Sequence, residues 1–297
     1  MLNQKKKIVI FTHYSKKIGY GHFYRSNLIK EKLSSKFNCV LKINKSIDYI
    51  NIFIKKNKVN LIIFDLKYYS KKLFQNKNRY IAFDNEKKFD KNLININPLT
   101  LRNKRYYGPP WFPYPDDFFL KKKINNKKNY YNLLIVQGAS DAFDNIKKIL
   151  KCIKYLDNKK IRICKIKIPY KLKIKIKSKI INNIKINKIP KKKYASSIFN
   201  NIDLAITGCG NFSYECSFFG IPSVFVSSEK EEIKRGKIFQ KKGYGKFFNP
   251  TKYKEIAKEL NNLANNYNYF KKIKEKKIKT FKKNGLKNIT KLIERIV

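Results

Sequence analysis

The 297 residues, 42% of them hydrophobic and 14% aromatic, suffice for two buried cores and exclude a disordered chain. The longest apolar runs are only a few residues, far short of the roughly 20 that cross a bilayer. Seventy Lys and Arg against 20 Asp and Glu give a net charge of +50, a balance that ordinarily points to nucleic acid or an anionic surface.

Only seven of those seventy are Arg, the residue whose planar fork reads phosphates and guanine edges. Lys, Asn, Ile, Tyr and Phe are abundant together, and all use AT-rich codons. The charge is therefore read as base composition expressed on a solvated surface. No nucleic-acid partner is expected, although the basic surface allows peripheral membrane association.

In chain order, short runs rich in Ile, Val and Phe alternate with longer amphipathic stretches, the pattern of βαβ units and a parallel sheet. Lys7 to Thr12 reads as a strand, too short and too poorly followed (His13, Tyr14) for a signal peptide. The turn Ile18-Gly19-Tyr20-Gly21 precedes a helix from about His22 to Lys36. Cys39 to Ile43, Leu61 to Asp65, Tyr80 to Asp84 and Leu93 to Asn95 read as strands, with a helix over Ile47 to Asn57. The segment Gly108 to Pro115, with four prolines, is a structured connector. Lys121 to Asn129 reads as a polar linker.

The pattern restarts with a strand over Tyr131 to Gln137, a turn at Gly138 and a helix over about Phe143 to Tyr155. Strands follow at Ile161 to Ile168, Ile184 to Ile189, Asp203 to Thr207 and Ser223 to Val226, with helices at Tyr194 to Asn200 and Ser213 to Phe219. The alternating Lys/Ile tract from Lys165 to Lys179 suits a half-buried strand or edge. The chain from Ile233 is helical and basic, ending in a helix over Leu286 to Ile296. The expected architecture is α/β, with Rossmann-like domains at residues 1–125 and 126–297.

Three glycine turns each follow a predicted strand and open a helix. In parallel sheets such turns lie at the carboxyl ends of strands, where ligands bind, and the helix start offers free N–H groups to an anion. The first holds Gly19, Gly21 and His22, with Arg25 one turn along. His22 is the best general base in the chain; alternatively it caps or packs. The second is Gln137-Gly138-Ala139-Ser140-Asp141, where Ser140 or Asp141 serves a ligand or caps the next helix. The third is Gly208-Cys209-Gly210-Asn211-Phe212-Ser213, then Glu215; it has the form of a diphosphate cradle, with capping as the plainer role for Glu215. Asp65 and Asp84 end strands and either orient a substrate or form turns.

Five scattered cysteines without a CxxC pair, and only two histidines, argue for free thiols in a cytoplasmic protein and against a zinc site. The G-x-G-x-x-G fingerprint is incomplete, with Tyr24 at the third glycine. That disfavours NAD, and no cofactor or metal is expected.

Ile18-Gly-Tyr-Gly-His-Phe-Tyr-Arg25 resembles the IGxGHxxR motif of the UDP-sugar hydrolases of pseudaminic acid biosynthesis, grouped with SpsG-like polysaccharide proteins and related in fold to MurG. Leu61 to Asp65, Ile81 to Asn85, Leu133 to Asp141 with Asn145, Ala205 to Glu215 with Gly220-Ile-Pro222, and Asn284-Gly285 resemble the family's later segments in order. The resemblance implies a GT-B fold with an interdomain cleft and a UDP-linked amino-deoxy sugar as substrate. UDP would lie mainly on the second domain, with Glu215 at the ribose and the Gly208–Ser213 turn at the diphosphate. His22 would activate the water that attacks the anomeric carbon with inversion. The chain departs from the family at Phe11, His13 and Asn85, and at Glu231-Glu232, where an Asn-Gln pair is expected. Two acids there would repel a diphosphate unless they bind hydroxyls. The alternatives are an inverting GT-B glycosyltransferase and a non-catalytic binding protein; fold alone does not separate them.

Overall fold

A computed structural model describes residues 5–15, 19–74, 78–87, 89–120, 130–138, 141, 143–167, 180–189 and 196–297. The expected linker at 121–129, most of the Lys/Ile tract, Ile18 and Ser140 lie outside them. The chain divides into two compact units, one formed by Met1–Pro115 with Lys283–Val297, the other by Asp116–Lys282.

In the first unit, β1 (Lys7–Thr12), α1 (Gly21–Leu33), β2 (Asn38–Ile43), α2 (Ile47–Lys56), β3 (Leu61–Asp65), β4 (Tyr80–Phe83) and β5 (Leu93–Ile96) follow in order. The sheet order is β2-β1-β3-β4-β5 and every pairing is parallel. β3 and β4 are buried at every residue, as expected of central parallel strands covered on both faces. Side chains alternate between two cores. Ile8, Ile10, Ile63 and Ile81 pack with Ile29 and Leu33 of α1, while Val9, Phe11, Ile62 and Phe64 pack with Ile50 and Ile54 of α2. Ser46 starts α2 by accepting the Tyr49 N–H at 3.2 Å.

The second unit begins with α3 (Asp117–Leu120), β6 (Tyr131–Val136), α4 (Asn145–Ile149), β7 (Ile161–Lys167), β8 (Ile180–Ile181), β9 (Ile184–Ile189) and β10 (Leu204–Thr207). It continues with α5 (Asn211–Phe218), β11 (Ser223–Val226), α6 (Lys230–Lys241), β12 (Phe247–Phe248), α7 (Tyr253–Asn265) and α8 (Tyr267–Phe281). Its sheet runs β12-β11-β10-β6-β7-β9-β8, parallel except for the β8–β9 pair. The last helix of the chain, α9 (Gly285–Ile296), belongs to the first unit.

The expectation of two parallel-sheet α/β domains is met. The proposed boundary, with everything from 126 to the end in the second domain, needs correction. The apolar stripe of α9, Leu286, Ile289 and Ile293, fills the core over β1, β3 and β4 beside α1. Burying three such side chains contributes roughly 5–9 kcal/mol before entropy. The helix expected over Phe143 to Tyr155 begins late, because Asp144 takes a left-handed conformation (φ 52°), and after Ile149 it tightens to a 3₁₀ helix over Leu150–Tyr155. A 3₁₀ turn at Ser196–Phe199 stands where the short helix from Tyr194 was expected. No helix among the described residues is long and apolar enough to cross a membrane.

Candidate functional site

In the first unit, the chain reverses its direction of travel across the sheet between β1 and β3, and the carboxyl ends of those strands form the switch-point crevice of an open parallel sheet. α1 starts there. Gly19 adopts φ 87°, its N–H bonds Ser15 O at 2.8 Å, and α1 begins at Gly21. His22 is therefore the second residue of the helix, and Arg25 and Ser26 lie one turn on.

All three turn toward Asp65, the last residue of β3. His22 Nδ1 lies 2.6 Å from Asp65 Oδ1. Arg25 grips the same carboxylate at both oxygens, Nε to Oδ2 at 2.8 Å and Nη2 to Oδ1 at 2.5 Å. Ser26 Oγ donates to Oδ2 at 3.2 Å. The third guanidinium nitrogen, Nη1, donates to Asp84 Oδ2 at 2.7 Å just past β4, and the guanidinium lies 4.8 Å from the centre of the Phe83 ring. Asp84 holds a left-handed backbone (φ 53°), and its Oδ1 is buried with no hydrogen-bond partner among the described residues. The Tyr69 hydroxyl accepts the Leu66 N–H (3.2 Å) and donates to Phe83 O (2.5 Å), tying the ends of β3 and β4 together.

The electrostatics follow from burial. Asp65 is fully buried. Burial alone would raise its pKa, but the charge and hydrogen bonds of Arg25, joined by His22, hold it well below the usual carboxylate range. Burial opposes the charge on Arg25 as well; Asp65 and Asp84 more than reverse this and raise its pKa. The Asp65 carboxylate can only accept, so a neutral His22 must carry its proton on Nδ1. Nε2 is then left as the basic atom. His22 keeps a side-chain exposure of 20%, against none for Asp65. The carboxylate thus orients the imidazole, and the imidazole is the member of the pair that can meet a substrate. His13 is partly buried, and burial pushes its pKa down.

In the second unit, two glycine turns lie at the carboxyl ends of the adjacent strands β6 and β10. After β6, Gly138 is exposed, but Asp141 spends both oxygens on α4, accepting the N–H groups of Asn145 (2.9 Å) and Ile146 (3.0 Å). That is the capping role. After β10, α5 opens at Asn211; Ser213 Oγ donates back to Gly210 O at 2.6 Å, and Glu215 is buried in the second turn of the helix. With its oxygen and nitrogen assigned from their neighbours, the Gln137 carboxamide accepts the Gly208 N–H (3.3 Å) and donates to Val226 O (3.2 Å). Glu232, in the first turn of α6, reaches into this turn. Its Oε2 accepts the Cys209 N–H at 3.2 Å, and Arg235 Nε donates to Cys209 O at 2.8 Å.

No protein-family model and no curated protein matches the chain. Solved structures do match over its whole length. MurG from Acinetobacter baumannii superposes with a TM-score of 0.68 at 12% identity, covering 98% of this chain and 99% of its own. The spinosyn rhamnosyltransferase SpnG, complexed with thymidine diphosphate, gives 0.67 at 7% identity, over 97% and 100%. A protein assigned as a UDP-N-acetylglucosamine 2-epimerase in Listeria monocytogenes gives 0.64 at 11% identity, over 98% and 96%. The fold is GT-B.

Within this GT-B chain, His22, Arg25, Asp65 and Asp84 converge in the first unit; in the second, Gly208, Gly210, Asn211 and Ser213 follow one another through a single turn, and Glu215 is buried in the helix that the turn opens. Gly138 and Asp141 sit at the neighbouring strand end. Reading the sequence missed Ser26, Tyr69 and Arg235, gave Gln137 no role beyond its place in the second glycine turn, and did not place Glu232 inside the third. Ser26 follows Arg25 directly and was open to detection. Gln137, Arg235 and the contact of Tyr69 with Phe83 join positions well separated in the chain, which no spacing encodes.

Proposed function

We propose that this GT-B chain acts on a nucleotide-sugar and transfers the sugar to a hydroxyl acceptor, with His22 as general base. The observation that carries this reading is the His22–Asp65 pair at the carboxyl end of β3. Asp65 fixes Nδ1 as donor, so Nε2 is free to take the acceptor's proton as oxygen attacks the anomeric carbon. Arg25 locks the carboxylate in place and cannot lose its own proton. The leaving group is a nucleoside diphosphate, and the second unit's part is to hold it at the Gly208–Ser213 turn with Glu215 at the ribose. The thymidine diphosphate bound to SpnG supports that class of leaving group, and the transferases among the similar structures favour an alcohol over water as acceptor.

A second reading is hydrolysis of a UDP-linked amino-deoxy sugar, in which water takes the acceptor's place. The segment Gly19-Tyr20-Gly21-His22 with Arg25 favours it, because it resembles the hydrolase motif and both its histidine and its arginine meet Asp65. The test is release of nucleoside diphosphate from a panel of UDP- and TDP-sugars, with and without hydroxyl acceptors. Transfer predicts release that depends on the acceptor. Release at the same rate in water alone selects the hydrolase, and no release from any donor removes both readings.

A further inference from the structure

We infer that Glu232 is a built-in occupant of the Gly208–Gly210 turn, which a ligand's diphosphate must displace before it can bind. The inference rests on the nucleotide-sugar reading above. The turn has the form that receives phosphate oxygens, with glycines that let the chain approach closely and a helix start, whose first N–H groups have no acceptor within the helix. Here a carboxylate already fills it. A Cβ added to Gly208 would lie 2.9 Å from Glu232 Oε2, and one added to Gly210 would lie 2.9 Å from Oε1. Both glycines therefore make room for the carboxylate itself, and the Cys209 N–H donates to it.

The surroundings hold the carboxylate in place. Arg235, on the same helix, binds the carbonyl of Cys209 and brings its positive charge close by. The other groups facing Glu232 are Ser227, whose side chain hydrogen-bonds to it, Glu229 at the N-cap of the same helix with its negative charge, and Cys209 from the turn itself. Its neighbour Glu231 behaves differently: it is 60% exposed and pairs with Lys234 at 2.9 Å. Of two adjacent acids, one lies in solvent and one lies in the anion position. A diphosphate and this carboxylate need the same donors and repel each other, so they cannot share the turn. Apparent affinity then equals intrinsic affinity reduced by the fraction of molecules with Glu232 withdrawn.

The test is calorimetric titration of the full chain, wild type, Glu232→Ala and Glu232→Gln, with UDP, TDP and uridine. Thermal melts establish that each variant is folded, and Glu232→Gln keeps the side chain's shape should the alanine variant not fold. The expected result is that Glu232→Ala tightens UDP about tenfold or more, the gain for a turn open in one molecule of ten. Glu232→Gln gains less, and uridine, which lacks phosphate, is unchanged. UDP affinity that is unchanged or weaker in both variants overturns the inference while leaving the nucleotide site standing. So does an equal gain for uridine. If no form binds UDP or TDP, the nucleotide-sugar reading itself falls and takes this inference with it.

Discussion

His22 Nδ1 and Asp65 Oδ1 stand 2.6 Å apart, joining the second residue of α1 to the last residue of β3. The pair assigns separate tasks to two residues 43 positions apart. Asp65 is buried and fixed, and His22 is exposed enough to meet a reactant. Replacing His22 by Ala removes the proposed base and is expected to lower kcat by roughly 10²–10⁴-fold with substrate affinity little changed. Replacing Asp65 by Asn leaves the imidazole in place but lets the other tautomer form, so kcat falls by a comparable factor. Steady-state kinetics on the best donor found by the panel measure both. A loss below tenfold in His22→Ala removes the residue from the chemistry.

Arg25 is the structural partner of that pair. It is 3% exposed and makes three hydrogen bonds to two carboxylates. Arg25→Met leaves Asp65 buried and deprived of its strongest cation, which costs on the order of 3–5 kcal/mol. Arg25→Lys keeps the charge but loses the two-pronged grip and is expected to recover only part of that stability. Urea unfolding of the three proteins measures the differences. The depressed pKa of Asp65 sets the pH dependence. Its contribution is complete above the ordinary value of 3.8 and is lost as pH falls below it. Wild type therefore loses stability relative to Asp65→Asn as the buffer is taken from pH 5 toward pH 2. A difference that stays constant over that range contradicts the assignment.

The central strands and the glycine turns were legible because their signals are local. Unbroken apolar runs at Leu61–Phe64 and Leu133–Val136, with a turn former within two residues of each (Asp65 and Gly138), have few other solutions in an α/β chain. His22 and Arg25 stood out because their spacing puts both on one helical turn. The membership of α9 was not legible: Leu286, Ile289 and Ile293 announce a buried face but not which sheet it covers, and the preceding helices α7 and α8 belong to the other unit. Asp141 showed the opposite limit, since a cap and a ligand contact require the same residue type after the same glycine. Glu231 and Glu232 read alike as sequence, and only the folded path of α6 separates the solvated acid from the enclosed one.

Lys277, on α8, is wholly buried in the second unit. Its Nζ donates to Ile221 O at 2.8 Å and Ser223 Oγ at 2.9 Å, and lies 5.0 Å from the centre of the Phe225 ring. Burial pulls its pKa from 10.5 down to about 7, partly offset by Cys216. Between those values the unfolded chain holds a proton that the folded one lacks, so folding gains stability as pH rises through this window. The full gain is at most roughly 5 kcal/mol, taking 1.36 kcal/mol per pH unit. Lys277→Met removes the titration. The stability of wild type relative to this variant is expected to climb from pH 7 to pH 10 in parallel urea titrations. A flat difference would mean that the amine stays charged inside the fold.

Gly285 opens α9 where the helix meets the proline-rich connector. A Cβ built there would stand 2.1 Å from Phe112 O and 2.5 Å from Phe112 N. Those are backbone atoms, which cannot step aside as a flexible side chain does. Asn288 fixes the same approach by donating to Pro110 O at 2.8 Å. Gly285→Ala must therefore push α9 away from the connector and loosen Leu286, Ile289 and Ile293 in the core of the first unit. The expected cost is about 1–3 kcal/mol, in the range of an overpacked core. The loss should appear in hydrogen exchange as weakened protection of β1, β3 and α1, with β6 and β10 of the second unit unaffected. Equal loosening of both units would show that the helix supports the whole chain rather than the first unit alone.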